Sequence, residues 1–234
     1  ADATRVQRMR RGLDQGLSAA EAARAALADE RPSEGLLEDA AARLLAAICR
    51  YDEAAAHSAL DESLAAFGLE ESLRHVVLPT LRQVGDGWER GEITIAQEHF
   101  ASNLVRARLM ALGRGWGRGT GHHALLAAPP GELHDLGLVV LALVLRDRGW
   151  RVTFLGADTP IETIADTTRR VGPEVIVLAM LRVPEVELRD MRELTRGTRV
   201  LISGRGANSA LARKLAVEHF AGGPIEAAAY LADA

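Results

Sequence analysis

A histidine flanked by two carboxylates is the part of this sequence best suited to chemistry. The segment reads Glu132-Leu133-His134-Asp135-Leu136-Gly137 and follows a short apolar run that is typical of a buried strand. An imidazole whose second nitrogen is held by a carboxylate is a common metal ligand, because the partner fixes the tautomer and raises the basicity of the ligating nitrogen. Glu132, two residues before His134, is the natural partner.

The spacing around this histidine also favours a bulky ligand. Gly137 is expected in the first turn of the following helix, where the missing side chain would let a planar ligand approach the backbone. The simpler alternative is that His134 only caps that helix. An isolated histidine would favour capping, whereas the Glu-x-His-x-x-Gly spacing favours a metal ligand.

A second group of chemically capable residues lies in the first half of the chain. Trp88 is followed, after nine residues, by Glu98-His99. Trp88 is predicted to end one helix, and Glu98 and His99 to begin the next. A helix–turn–helix would therefore bring all three side chains to the opening of one binding site. A ring beside a carboxylate and an imidazole suits a ligand with an apolar face and hydroxyl groups. The alternative is a core tryptophan with two surface polar residues, which is the commoner arrangement.

Helices must position the Trp88 group. Apolar residues recur at helical spacing over 36–48, 54–67, 73–88 and 95–112, which predicts a four-helix bundle over 33–116. Before it, Val6, Met9 and Leu13 and the Ser18-x-x-Glu21 capping box predict a helical segment within 1–32.

An α/β domain must position the His134 loop. The glycine-rich stretch 113–121 marks a domain boundary. Beyond it we predict strands at 124–128, 152–155, 175–180, 200–203 and 219–221, and helices near 134–148, 160–170, 185–195, 207–217 and 225–231. Thr159-Pro160-Ile161-Glu162 indicates a capping box for the second of these helices. Such alternation predicts a doubly wound, flavodoxin-like parallel sheet over 117–234, in which ligands bind beyond the carboxyl ends of the strands.

Composition narrows the class of protein. The 234 residues are 48% hydrophobic and 26% charged with a net charge of −4, which excludes general disorder and argues against a large nucleic-acid footprint. The single cysteine, Cys49, excludes an intramolecular disulfide and a thiolate metal site, and its apolar neighbours indicate a small buried side chain. Without a signal peptide or an apolar run that could span a membrane, we expect a cytoplasmic protein.

The segment 132–137 resembles the Asp/Glu-x-His-x-x-Gly signature of cobalamin-binding domains, and the resemblance continues through 149–160. It implies that His134 replaces the cofactor's own benzimidazole as the lower ligand of cobalt, and that the nucleotide tail threads into the α/β domain. Relatives often have Ser-x-Leu after the third strand and paired glycines after the fourth, where this chain has Ala179-Met180-Leu181 and Ser203-Gly204-Arg205-Gly206. The further cofactor contacts that the resemblance implies are Glu132, Asp135, Leu136, Gly137, Ala179, Leu181, Ser203, Gly204, Arg205 and Gly222.

The Trp88…Glu98-His99 spacing resembles the Trp-x9-Glu-His motif of B12-dependent photoreceptors. The resemblance implies that these three residues cover the upper face of adenosylcobalamin beneath a four-helix cap. Several light-responsive relatives have a histidine after the motif tryptophan that ligates cobalt after photolysis, whereas this chain has Glu89. The relatives include photocobilins, which implies biliverdin as a second candidate chromophore. Residues 6–27 resemble the tail of a MerR-type DNA-binding module without its reading head, so we expect no DNA binding by this chain alone.

The leading hypothesis is therefore a homo-oligomeric light sensor rather than an enzyme. Light would break the cobalt–carbon bond of bound adenosylcobalamin. The helical cap would then shift and the oligomeric state of the sensor would change. The sequence does not specify which partner receives the signal. A corrinoid methyl carrier of a methyltransferase system, which would use methylcobalamin, is the main alternative. An α/β interaction module without cobalt is the third.

Overall fold

The computed structural model describes residues 34–118, 120–182 and 197–233, together with 9–11, 13, 14, 18, 19, 22, 191, 194 and 195. Most of the helical segment predicted within 1–32 and most of the helix predicted at 185–195 lie outside the described residues.

The first half of the described chain is helical, as predicted. Its helices are α1 (Glu34–Cys49), α2 (Glu53–Phe67), α3 (Leu69–Ser72), which runs through a π-helical turn (Leu73–Val77) into α4 (Leu78–Glu89), and α5 (Ile95–Leu112). Local sequence sets where these helices begin. The Asp52 side chain accepts a hydrogen bond from the N–H of Ala55 at the start of α2, and Thr94 forms a capping box with Gln97 at the start of α5.

The second half forms a five-stranded parallel sheet. Its strands are β1 (His123–Ala127), β2 (Arg151–Gly156), β3 (Val175–Ala179), β4 (Arg199–Ser203) and β5 (Glu218–Phe220), paired in the order β2-β1-β3-β4-β5. The helices of this half are α6 (Leu136–Asp147), α7 (Ile161–Val171), α8 (Ser209–Leu215) and α9 (Pro224–Ala232). This confirms the predicted flavodoxin-like fold. The strand order reverses between β1 and β3, so the topological switch point lies where these two strands end.

Helix α6 joins the helical half and one face of the sheet into a single hydrophobic cluster, and a second cluster lies on the other face of the sheet. Its residues from Leu138 to Leu145 are all buried, because α6 packs on the sheet with one side and on α5 and α9 with others. A helix that is apolar all round is expected in this position. Each fully buried leucine or valine contributes roughly 1.5–3 kcal/mol relative to an exposed one. The His134 loop, which leads into α6, and the helical half are therefore both attached to this buried helix.

Two local predictions are wrong. Cys49 is only partly buried. The segment 159–162 is not a capping box, because the N-cap residue is Pro160 and no side chain caps α7. Thr159 is buried, and its hydroxyl donates to the carbonyl oxygens of Gly156 (3.2 Å) and Ala157 (3.3 Å) instead. Its own N–H donates to the Ala128 carbonyl at 2.9 Å, which turns the side chain into the loop. No helix in the described part of the chain has the length and apolarity needed to cross a bilayer.

Candidate functional site

His134 lies in the loop between β1 and α6, at the switch point of the sheet. The loop is tied to the end of β2, because the Asp158 carboxylate accepts the N–H of Gly131 at 2.8 Å and the Asp158 N–H donates to the Glu132 carbonyl at 2.9 Å. Helix α6 begins at Leu136 with Asp135 as its N-cap residue. The imidazole of His134 therefore does not cap the helix, and 56% of its side chain is exposed.

Glu132 holds the ring of His134 and the loop after β3 at the same time. One carboxylate oxygen accepts the His134 backbone N–H at 3.0 Å and lies 2.6 Å from Nδ1 of the same residue. The other accepts the backbone N–H groups of Leu181 (2.7 Å) and Arg182 (2.9 Å). Because an ionised carboxylate only accepts hydrogen bonds, Nδ1 carries a proton, and in the neutral ring Nε2 has the free lone pair. This is the arrangement of a metal-ligating histidine.

The Glu132 carboxyl is buried, with 3% of its side chain exposed, yet it stays charged. Burial would raise its pKa, but the hydrogen bonds from His134, Arg182 and Leu181 together lower the pKa below its ordinary value. The charge is what keeps the proton of His134 on Nδ1. The Glu132–His134 pair predicted from spacing is thus present, while the two amides after β3 gave no signal in the sequence.

Asp135 is joined to the helical half by an ion pair that the sequence did not indicate. Its carboxylate, 5% exposed, receives Nε of Arg106 at 3.0 Å and Nη2 at 2.6 Å. The hydrogen bond to Asp135 raises the pKa of the Arg106 guanidinium. The carboxylate predicted as a cofactor contact is therefore engaged with α5.

Helix α5 connects the two groups of predicted site residues. His99, Asn103 and Arg106 are exposed and recur at the spacing of one helix face, while Ala101 and Val105 are buried. Seven residues separate His99 from Arg106, which is about 10 Å along the helix axis. The face that contacts the His134 loop through Arg106 thus carries His99 two turns away.

The Trp88 group lies on the two sides of one turn, as predicted. Trp88 is 47% exposed in the last turn of α4, so it is not a core tryptophan. Its carbonyl accepts the N–H of Gly91 at 3.0 Å. At the start of α5, the Glu98 carboxylate accepts the Ser102 hydroxyl at 2.7 Å and lies 3.6 Å from Nε2 of His99.

The remaining predicted contacts lie in strand ends and loops at the same edge of the sheet. Gly204 has φ +106°, and a Cβ there would lie 2.4 Å from the Met180 carbonyl, so only glycine fits. The Ser203 hydroxyl lies 3.5 Å from the Gly222 carbonyl. The loops after β3 and β4 therefore pack against each other. The predicted residues Ala179 and Ser203 end these strands, and Leu181, Gly204 and Arg205 lie in the loops that follow.

The surroundings of His134 fit a large, flat, partly apolar cofactor. Leu133 is 70% exposed and Leu181 is 38% exposed, although both are large and apolar. A Cβ on Gly137 would meet nothing within 4 Å. Among the described residues no cluster of three or more histidine, cysteine, aspartate or glutamate side chains could hold a bare metal ion. A corrin ring brings four nitrogen ligands of its own, so a single imidazole is the donor it needs.

Comparison with known proteins gives the same cofactor class. Two family models, each described as a B12 binding domain, match residues 40–112 and 122–226. A solved structure of the Methanosarcina barkeri monomethylamine corrinoid protein covers 84% of this chain and 98% of its own, with a TM-score of 0.70 at 17% identity. That similarity shows a shared fold.

Two curated relatives from Myxococcus xanthus are more similar in sequence. The HTH-type transcriptional repressor CarH is 37% identical over an alignment of 218 positions that covers 90% of this chain and 72% of CarH. The HTH-type transcriptional repressor CarA is 34% identical over 158 residues, 65% of this chain and about half (53%) of CarA. With both B12 binding domains and this identity over most of its length, the chain belongs to the family of B12-dependent photoreceptors.

Proposed function

We propose that this chain is a light sensor that binds adenosylcobalamin between its helical half and its α/β half, with Nε2 of His134 as the lower ligand of cobalt. The observation that carries the proposal is the buried Glu132 carboxylate on Nδ1, which leaves Nε2 of an exposed ring at the switch point of the sheet. The benzimidazole of the cofactor would then be displaced, in a base-off, His-on mode.

The chain's own residues have three tasks in this proposal. Bound adenosylcobalamin supplies a cobalt–carbon bond that visible light breaks. Glu132 keeps the proton on Nδ1, so that His134 stays a ligand. Trp88, Glu98 and His99 cover the side opposite His134 and exclude water from it, and half-exposed Trp88 gains a packing partner there.

The nucleotide tail is proposed to lie along the loops at the carboxyl edge of the sheet. Leu136 and Gly137 would border its entry beside His134, and the loops after β3, β4 and β5 would enclose it through Ala179, Leu181, Ser203, Gly204, Arg205 and Gly222. The support for this placement is that these loops share one edge with the ligand imidazole.

The signal is proposed to be a change in helix packing and in the homo-oligomer. Without the adenosyl group Trp88 loses the surface that it covers, so the helical half shifts on the α/β half. Glu89 cannot supply an imidazole to cobalt after illumination. We assign the helical segment to 1–32, the cap to 33–116 and the cobalamin domain to 117–234. The proposed role of the chain is signalling rather than catalysis.

A direct test is to incubate the purified chain with adenosylcobalamin in the dark, then record absorbance, cofactor mass and solution mass before and after illumination. We expect a bound cofactor, a spectral change in light and a different oligomer. His134→Ala should lose the His-ligated spectrum.

His122→Ala is the matched control. His122 also has Nδ1 2.5 Å from a glutamate carboxylate, that of Glu174, but it lies at the opposite end of β1. An unchanged oligomer in light would refute the switching mechanism, and an unchanged spectrum in His134→Ala would refute the ligand assignment.

A corrinoid methyl carrier is the second candidate, and the fold shared with the monomethylamine corrinoid protein favours it. A methyl carrier does not need a pocket for an adenosyl group, so exposed Trp88 weighs against it. The upper ligand of the cofactor that the chain retains from a mixture of adenosylcobalamin and methylcobalamin decides between the two.

A groove of about 490 Å³ between the two halves is where we propose that biliverdin, as a second chromophore, would bind. Arg146 borders this groove and offers a cation for a propionate. Arg108 also borders it but is paired with Asp61, and the remaining lining residues are apolar: Leu64, Ala65, Leu69, Leu112 and Leu143. We expect added biliverdin to shift its absorbance with the wild-type chain and less with Arg146→Gln, whereas exposed Arg213→Gln should match wild type. An unshifted spectrum would refute a bilin site.

A further inference from the structure

We infer that Arg106 is a positioning residue. Through its ion pair with Asp135 it sets the distance between His134 and the Glu98-His99 end of the cap. The inference rests on the cobalamin site proposed above and adds a residue that the motifs of the sequence do not contain.

The Asp135 carboxylate is held in a position that requires a cation. Only 5% of its side chain is exposed, and a Cβ on Gly156, the last residue of β2, would lie 3.5 Å from its Oδ2. The carboxylate is thus enclosed between the end of β2 and α5. A buried charge needs a partner with good geometry, and Arg106 provides two nitrogens on the two oxygens.

The backbone of Asp135 connects this ion pair to the ligand loop. Asp135 directly follows His134, and its carbonyl accepts the N–H of Val139 in the first turn of α6 at 3.0 Å. His134 is therefore flanked by two anchored carboxylates. Glu132 attaches the ring to the loop after β3, and Asp135 attaches the loop to the helical half.

The geometry of α5 transmits this attachment to the cap. A single uninterrupted helix carries Arg106 and His99 on one face, about 10 Å apart along its axis. Because an α-helix is stiff over this length, fixing Arg106 against the His134 loop fixes the distance between the two faces of the cofactor site. A ligand that fills the whole gap benefits from the fixed distance more than one that contacts mainly the His134 side.

The test compares binding of adenosylcobalamin and methylcobalamin in the dark by Arg106→Gln and Asp135→Asn. We expect the preference for adenosylcobalamin to fall by about tenfold in each single variant. The double variant should be no worse than either single, because both act through one contact. Arg106→Lys, which keeps the charge, should recover part of the preference and serves as the folded variant if Arg106→Gln is unstable.

Arg199→Gln is the matched control. Arg199 also contacts a carboxylate, that of Glu218, through Nε and Nη2, but this pair lies at the amino end of β4, away from the His134 loop. It should leave the preference unchanged. Equal loss of affinity for both cofactors in Arg106→Gln would show a purely structural role and overturn the inference, as would a preference equal to that of Arg199→Gln.

Hydrogen exchange of the cofactor-free chain separates this inference from the proposed function. Arg106→Gln should speed exchange at the N–H groups of His134 and Val139, and Arg199→Gln should not. If the wild-type chain binds no cobalamin, the proposed function fails, yet faster exchange would still support the anchoring. Unchanged exchange at both amides would overturn the anchoring itself.

Discussion

Glu132→Gln is the substitution that most directly examines the site, because it changes one buried atom and leaves the shape. The Glu132 side chain accepts four hydrogen bonds, two from the loop after β3 and two from His134. If the glutamine oxygen keeps the Leu181 and Arg182 amides, its NH2 group must face His134. The His134 N–H then loses its acceptor, and Nδ1 must become an acceptor, which moves the ring proton to Nε2.

The cost follows from these contacts. The His134 N–H, left buried without an acceptor, costs about 1–3 kcal/mol. The hydrogen bonds from the Leu181 and Arg182 amides change from a charged to a neutral acceptor, at about 1 kcal/mol each. We therefore expect Glu132→Gln to lower the free energy of unfolding by about 3–5 kcal/mol. The moved proton also blocks Nε2 as a ligand, so the His-ligated cobalamin spectrum should be lost.

The assay is denaturant unfolding of the cofactor-free chain, followed by the absorbance of added cobalamin. Glu174→Gln is the matched control, because Glu174 also accepts from a histidine ring and a backbone N–H but is 56% exposed. Exposed pairs contribute little, so its effect should stay within about 1 kcal/mol. The reasoning is refuted if Glu132→Gln destabilises no more than Glu174→Gln and keeps the His-ligated spectrum.

Three further predictions concern the rest of the molecule. Trp88→Ala should reduce the preference for adenosylcobalamin over methylcobalamin while shifting the thermal midpoint little, since the ring is half-exposed; a lower midpoint with an unchanged preference would contradict this. Gly204→Ala should destabilise the cofactor-free chain by about 1–3 kcal/mol, because residue 204 has a positive φ and a Cβ there would meet the Met180 carbonyl. Gly137→Ala should leave the stability unchanged and weaken cobalamin binding. Equal stabilities of the two variants would contradict this contrast. Burial and the Arg151 charge lower the pKa of His123 below 6.5, so the unfolded state takes up a proton at a higher pH than the folded state does. The stability should therefore fall as the pH drops below 6.5. An identical pH profile of stability in His123→Gln would contradict this.

Local pattern was enough to predict much of the fold. The helical runs of the first half and the strand–helix alternation of the second are periodicities of neighbouring residues. They match the side chains that are buried between the helices and on both faces of the sheet. The failed capping box at 159–162 shows the limit of that reasoning. The Thr159 hydroxyl had several acceptors within reach, and its burial beside the ends of β1 and β2 selected the carbonyls of the loop.

The same distinction holds for the site. The sequence determined that Glu132 and His134 are paired, because two residues in one tight loop meet whatever the rest of the chain does. It also placed Trp88 and Glu98-His99 on the two sides of one turn. Such short-range geometry depends on backbone reach alone.

Only the tertiary structure decided what holds these groups in place. The Leu181 and Arg182 amides are 49 and 50 residues from Glu132, and Arg106 is 29 residues from Asp135. These contacts exist because β3 is the neighbour of β1 in the sheet and because α5 packs on α6. Strand order and helix packing follow from burying the whole core at once, so no local spacing in the sequence contains them.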